Sequence, residues 1–312
     1  MTGRMKSRAR LDVAVAGGGV VGAACALALA RAGLDVALVE ARPVPRWLAE
    51  QPDLRVYALA PDNAALLDAL GVWPQVVRAR AQPYRKMRVW DAGGGDELAF
   101  DAATLARDEL GWIVENGLLV DRLWAALVAA GVQVHCPARV QGMEQDEAGV
   151  RLELDDGTRL EARVAVAADG GASELRRLAG LDVDAHDYGQ RGVVAFIETA
   201  DPHQETAWQR FLPTGPLALL PFTQGRSSIV WTLPEAEAQR VLALDDAAFA
   251  LELTDASAAR LGRAQPVSER AAFPLRRQLV RQQVAGLVLV LGDAAHVVHP
   301  LAGQGVNLGL RD

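Results

Sequence analysis

The chain has few cysteines, few aromatic residues, no surplus of basic charge and no long uninterrupted apolar run. Each shortage excludes something. The two cysteines, Cys25 and Cys136, share no C-x-x-C spacing. No disulfide framework is therefore expected, and a reducing cytoplasm is the expected compartment. With 32 basic against 39 acidic residues and a net charge of −7, no basic stripe marks a nucleic-acid surface. No apolar run reaches the ~20 residues of a membrane span. Gly171-Ala172-Ser173 runs on into Glu174 and Leu175, so the G-x-S-x-G elbow of a serine hydrolase is missing. The 312 residues, 51% apolar and 23% charged, describe a soluble globular protein large enough for one big core or two domains. Arg4, Lys6, Arg8 and Arg10 precede an alanine-rich stretch, as in a secretion leader. A glycine fingerprint lies inside that stretch and cleavage would destroy it, so secretion is not expected.

That fingerprint is the first positive signal. Asp12-Val13-Ala14-Val15-Ala16 reads as a buried strand, followed by Gly17-Gly18-Gly19-Val20-Val21-Gly22. A helix from about Val21 to Ala32 stops at Gly33, and a second strand, Asp35 to Val39, ends in Glu40. Gly17 permits the tight turn, Gly19 lets backbone approach a pyrophosphate, and Gly22 lets helix and strand pack closely. Glu40 can accept hydrogen bonds from a ribose diol. Gly17, Gly19, Val20, Val21, Gly22 and Glu40 are thus the expected N-terminal contacts of a dinucleotide.

The C-terminal end supplies the second signal. Leu287 to Leu291 reads as a buried strand that delivers Gly292-Asp293 to its end. A stiff turn at Pro300 and a glycine-rich turn, Gly303-Gln304-Gly305, then open a helix containing Val306 and Asn307. Such an opening aims unpaired N–H groups and a positive helix end at one spot. A flavin ring, anionic at N1 when reduced, suits it. His296 and His299 form an H-x-x-H pair near Asp293. A third and fourth ligand are lacking, and no metal is expected.

Between the ends no repeat or low-complexity segment occurs. Strands are expected at Lys86 to Trp90, Glu97 to Phe100, Val132 to Cys136, Gly149 to Leu154 and Thr158 to Val166, with a helix over Leu118 to Ala130. Val164 to Ala168 delivers Asp169-Gly170 to another strand end. After Gly180 strands dominate: Val193 to Thr199, Trp208 to Leu212, Leu217 to Phe222 and Ser227 to Leu233. Helices follow over Pro234 to Leu244 and Asp246 to Leu261. The pattern is a discontinuous α/β nucleotide domain, residues 1–80, 105–180 and 275–312. Inserted into it is a sheet-rich α+β substrate domain, residues 81–104 and 181–274.

With these residues in view, the chain resembles the FAD-dependent aromatic hydroxylases of ubiquinone biosynthesis, within the p-hydroxybenzoate hydroxylase-like monooxygenases. The resemblance covers nearly the whole chain. It runs through Gly17–Gly22, Leu54–Leu59, Leu70–Trp73, Val114–Asn116, Ala168–Ser173, Trp208–Trp231 and Gly292–Asp312; the last segment is specific to this subfamily. It implies an FAD-binding Rossmann-like fold. It implies that Asp293, with Gly292, holds the ribityl chain and that Asp169 lies near the pyrophosphate and the nicotinamide route. Arg55 would lie near the flavin and NAD(P)H, and Asn116 would border the cofactor. Pro300, Gly303, Gln304, Gly305, Val306 and Asn307 would flank the flavin ring. Trp208, Phe211, Leu219, Pro221, Phe222 and Trp231 are candidates for an aromatic-substrate pocket; aromatics in strands are also ordinary core. Members of the family continue past the equivalent of Asp312 with further helices.

The resemblance implies an NAD(P)H-using monooxygenase that hydroxylates a phenol with molecular oxygen through a C4a-hydroperoxyflavin. No side chain serves as nucleophile. The implied substrate is a hydrophobic, polyprenylated phenol, and the site is cytoplasmic. Peripheral contact with the inner membrane, a biosynthetic complex and an oligomer all stay open. So do a same-fold hydroxylase of a small soluble phenol and an inactive flavin-binding fragment or assembly subunit.

Overall fold

A computed structural model describes residues 10–44, 46–299 and 303–312. The expected flavin-loop residue Pro300 lies outside them.

The first sheet is built around Leu11–Ala16. Strands run side by side in the order Val284–Ala285, Val288–Val290, Arg159–Ala167, Leu11–Ala16, Val36–Val39 and Gln133–His135. All but the first are parallel neighbours. A parallel sheet is covered on both faces and so needs continuous apolar strands; Ala14, Val15, Ala37 and Leu38 are wholly buried. The helices Val20–Arg31 and Asn116–Ala129 cover one face through Leu27, Leu119, Leu123 and Leu127. An antiparallel extension, Val140–Asp146 with Gly149–Leu154, helps cover the other through Val150, Leu152 and Leu154.

The second sheet runs His296–Val297, Ala271–Val280, Val183–Thr199, Ser227–Pro234, Gly215–Pro221, Thr206–Leu212, Lys86–Asp91 and Leu98–Asp101. One face packs on the helices Glu235–Leu242 and Asp246–Ala256. The other packs, through Phe196, Leu220 and Phe222, on Val56, Ala58 and Ile113. These last belong to a three-stranded sheet of Val56–Leu59, Gly111–Glu115 and Gln82–Tyr84.

Two elements differ from the sequence reading. The strand expected at Val193 begins at Val183. Its first half is polar, without the apolar alternation that marks a half-buried strand, and is held by backbone pairing with Ala271–Val280. The helix expected to reach Leu261 ends at Ala256, because Ala258 and Ala259 turn into the left-handed region at φ 53° and 50°.

Candidate cofactor site

In the first sheet Val290, Ala167, Ala16 and Val39 are neighbours across adjacent parallel strands. The residues that follow are therefore brought to one edge: Gly292-Asp293, Ala168-Asp169, Gly17 and Glu40. Ligands of open parallel sheets bind at such carboxyl ends.

The fingerprint glycines have separate reasons. Gly17 has φ +105°, and a Cβ on it would lie 2.2 Å from the Ala168 oxygen. A Cβ on Gly22 would lie 2.0 Å from the Gly17 oxygen. These two are required by the fold itself. A Cβ on Gly19 meets nothing within 4 Å among the described residues. This is the open cradle that an approaching diphosphate needs. Val20 and Val21 form the first turn of the helix behind it, and Val21 also packs against Gly292 and Gly309.

Glu40, 8% exposed, accepts from Gly18 N–H at 2.6 Å and Arg42 N–H at 2.8 Å. Each carboxylate oxygen keeps a further lone pair for a ribose hydroxyl. Trp124, not anticipated from sequence, donates its indole N–H to the Gly18 carbonyl at 2.7 Å.

Asp293 is half-exposed and meets Arg55 at 4.0 Å; Arg55 also stacks over Tyr57, 5.4 Å from the ring centroid. Tyr57 donates to Asn116 Oδ1 at 3.1 Å, and burial pushes its hydroxyl pKa up to about 12, so it remains a donor. Asp53 accepts from Gly117 N–H at 3.0 Å and Asn116 Nδ2 at 3.4 Å. Behind them, wholly buried Glu115 accepts from Trp47 Nε1 at 3.1 Å and Asp53 N–H at 2.9 Å and pairs with Arg80 at 3.3 Å. Burial raises its carboxyl pKa, against the lowering effect of these donors. Tyr57 and Asp53 were not among the expected residues; Glu115 lies in the segment Val114–Asn116 that the resemblance placed at the border of the cofactor.

At three of the expected residues the side chain is engaged within the protein. The Asp169 carboxylate caps the helix Glu174–Leu178, accepting from Ser173 Oγ, Glu174 N–H at 2.9 Å and Leu175 N–H at 3.2 Å. The carboxylate thus caps a helix while the residue stays at the strand-end edge. Asn307, fully buried, commits its side chain to protein. Oδ1 accepts from Ala60 N–H and Asn63 Nδ2, and Nδ2 donates to Ala58 O and Gln304 Oε1. Any cofactor contact by Asn307 must use backbone. Val306 likewise packs in the core.

Trp208, Leu219 and Trp231 turn to the helix-covered face of the second sheet and pack in its core. Strand alternation puts every second residue there, and Pro221 shares that parity. Phe211 has the opposite parity, and Phe222 stacks on Phe196 with centroids 4.6 Å apart on the face toward the three-stranded sheet.

Gly303 has φ +61° and lies beside Ala58. Gly305 opens the last helix, Gly305–Arg311, with nothing within 4 Å of a Cβ there among the described residues. The sequence reading also missed Asp312. Its carboxylate accepts from Gly292 N–H at 2.7 Å and contacts His296 Nε2 at 2.8 Å, tying the helix end to the turn that carries Asp293. Among the described residues no group of three or more His, Cys, Asp or Glu could hold a metal ion, and no helix is long and apolar enough to cross a membrane.

The residues fit FAD. The open backbone at Gly19, the carboxylate at Glu40 and the half-exposed Asp293 and Arg55 lie along one edge.

Comparison with known proteins agrees. A family described as FAD binding domain matches residues 10–312. The chain is 37% identical over 303 residues to the Escherichia coli protein named 3-demethoxyubiquinol 3-hydroxylase, covering 96% of this chain and 77% of that one. It is also 37% identical to Rhodospirillum rubrum ubiquinone hydroxylase UbiL, over 96% and 70% of the two chains. Among solved structures, Pseudomonas aeruginosa PqsL, described as a probable FAD-dependent monooxygenase, superposes with TM-score 0.80 at 25% identity, covering 96% of this chain and 83% of that one. The chain belongs to the FAD-binding-domain family of flavin-dependent aromatic hydroxylases.

Proposed function

We propose that the chain hydroxylates a polyprenylated phenol of ubiquinone biosynthesis, with FAD along the strand ends and NAD(P)H as reductant. The observation that carries the substrate class is the sheet face turned toward the three-stranded sheet. By strand parity Phe211, Ala218, Leu220, Val230 and Phe273 share it, all incompletely buried. Ordinary packing would bury such side chains, whereas a hydrophobic ligand can cover them. The names of the two relatives support the same class.

Bound FAD, once reduced, supplies the activation of molecular oxygen. The chain's own residues bind, orient and exclude water. Gly19 and the first turn of Val20–Arg31 offer N–H groups to the diphosphate, and Glu40 a carboxylate to the ribose. Asp293 accepts from ribityl hydroxyls in place of its loose contact with Arg55, freeing that guanidinium for an anionic group. Gly303 and Gly305 let backbone approach the ring. Phe211 borders the phenol, with Phe222 packed behind that face. Residues 1–80, 105–180 and 275–312 form the nucleotide part and 81–104 with 181–274 the substrate part. In support, the strands of Lys86–Asp101 join the sheet of the second part, although Ala271–Val280 crosses the boundary. A substrate dissolved in lipid calls for peripheral contact with a membrane, which flotation with liposomes tests.

The deciding experiment supplies FAD, NAD(P)H and isotopically labelled dioxygen with either a polyprenylated or a simple phenol. The expected result is one labelled oxygen atom in the prenylated product and far slower turnover of the simple phenol. Equal turnover of both phenols, or reduction of oxygen with no hydroxylated product, would overturn the reading.

A further inference from the structure

We propose that Trp124 is a positioning residue for the cofactor's diphosphate. It fixes the Gly18–Gly19 peptide so that the Gly19 N–H is aimed at the phosphates. The proposal rests on the reading that FAD lies over Gly19.

The indole N–H donates to the Gly18 oxygen at 2.7 Å in a buried contact, and Trp124 is 4% exposed. The ring lies against the backbone, since a Cβ on Gly18 would be 2.4 Å from Trp124 Cζ2. The Gly18 carbonyl belongs to the same planar trans unit as the Gly19 N–H, and the two point in opposite directions. Tying the carbonyl down toward the helix Asn116–Ala129 therefore turns the Gly19 N–H the other way. That N–H donates to no partner among the described residues, and a Cβ on Gly19 would likewise meet nothing within 4 Å among them. The Gly18 N–H, in the preceding peptide unit, is pinned by Glu40 at 2.6 Å.

Both peptide units flanking Gly18 are thus held. This matters because three successive glycines would otherwise sample many conformations. Ordering them before binding spares the ligand that cost. Indole suits the task, being a donor without an acceptor; it can hold a carbonyl but cannot bind the N–H and so cannot stabilise the flipped peptide.

Trp124→Phe keeps an aromatic ring and removes the donor. The FAD Kd should rise about five- to tenfold, the effect of one hydrogen bond. In competition against FAD, ADP should weaken by the same factor while adenosine, which has no phosphate, is unchanged. Replacing Trp124 with the isosteric 3-benzothienylalanine, which puts sulfur in place of N–H, separates the hydrogen bond from packing and serves if the Phe variant folds poorly. It should reproduce the loss in a variant that circular dichroism shows to be folded. Unchanged FAD affinity in the isostere would overturn the proposal, as would equal weakening of ADP and adenosine. Gly19→Val separates the two levels. If that variant binds FAD normally, the underlying placement is wrong. If it loses FAD while the isostere does not, only the role of Trp124 fails.

Discussion

Gly17 and Gly19 sit two residues apart and do different work. Gly17 holds φ +105° with the Ala168 oxygen 2.2 Å from any added Cβ, so Gly17→Ala strains the backbone and collides with it. We expect a drop in thermal stability of the apoprotein, whatever its flavin content. Gly19→Val has room, and should leave the apoprotein's melting temperature near that of the parent while abolishing FAD binding. Calorimetry of both apoproteins checks this; equal destabilisation would show that the two glycines are both merely structural. Asp293→Ala removes a half-exposed acceptor and should weaken FAD by about 1–3 kcal/mol, read by titration of apoprotein.

His203 gives a pH prediction at the same scale. Its Nδ1 accepts from Glu205 N–H at 3.1 Å while Nε2 lies 3.0 Å from the Phe222 carbonyl. The ring is therefore neutral, and burial lowers its pKa below the ordinary 6.5. A folded-state pKa below the unfolded value means that the unfolded chain takes up the proton first. The stability is fully present above pH 6.5 and lost as the pH falls below it. His203→Gln should flatten the unfolding free energy between pH 7.5 and 5.5 relative to the parent, in urea titrations. A parallel pH dependence in parent and variant would remove His203 from the account.

At the scale of elements, the last helix is held at both ends by side chains. Asn307 joins it to Ala58, Ala60 and Asn63, and Asp312 joins it to Gly292 and His296. Asn307→Ala would strand several buried partners, each worth roughly 1–3 kcal/mol when left unpaired, and should unfold the protein at markedly lower denaturant. Asp312→Asn is subtler. It keeps an acceptor for the Gly292 N–H but removes the charge beside His296, so FAD affinity should fall modestly with little change in stability.

The sequence made the strand-end motifs legible, because strand, glycine turn and acid are consecutive in the chain. It did not disclose Trp124, or the partners of Glu115, because the contacts span 106 and 68 residues. Nor could alternation alone say which face of a strand meets helices and which meets ligand. For Trp208 and Trp231 pocket and core therefore both stay open in the sequence; the helices behind them make them core.

For the molecule as a whole, the parallel order Val288–Val290, Arg159–Ala167, Leu11–Ala16, Val36–Val39 does what no single motif can. It sets Gly17 and Glu40 side by side with Gly292-Asp293. The second sheet adds an incompletely covered apolar face near them. On the proposed reading, flavin and nucleotide occupy one continuous row of strand ends. The most direct test is equilibrium titration of the apoprotein with FAD, parent beside Gly19→Val, with circular dichroism to verify folding. The account expects one equivalent bound by the parent and no saturable binding by the folded variant. One equivalent bound with equal affinity by both proteins would contradict it.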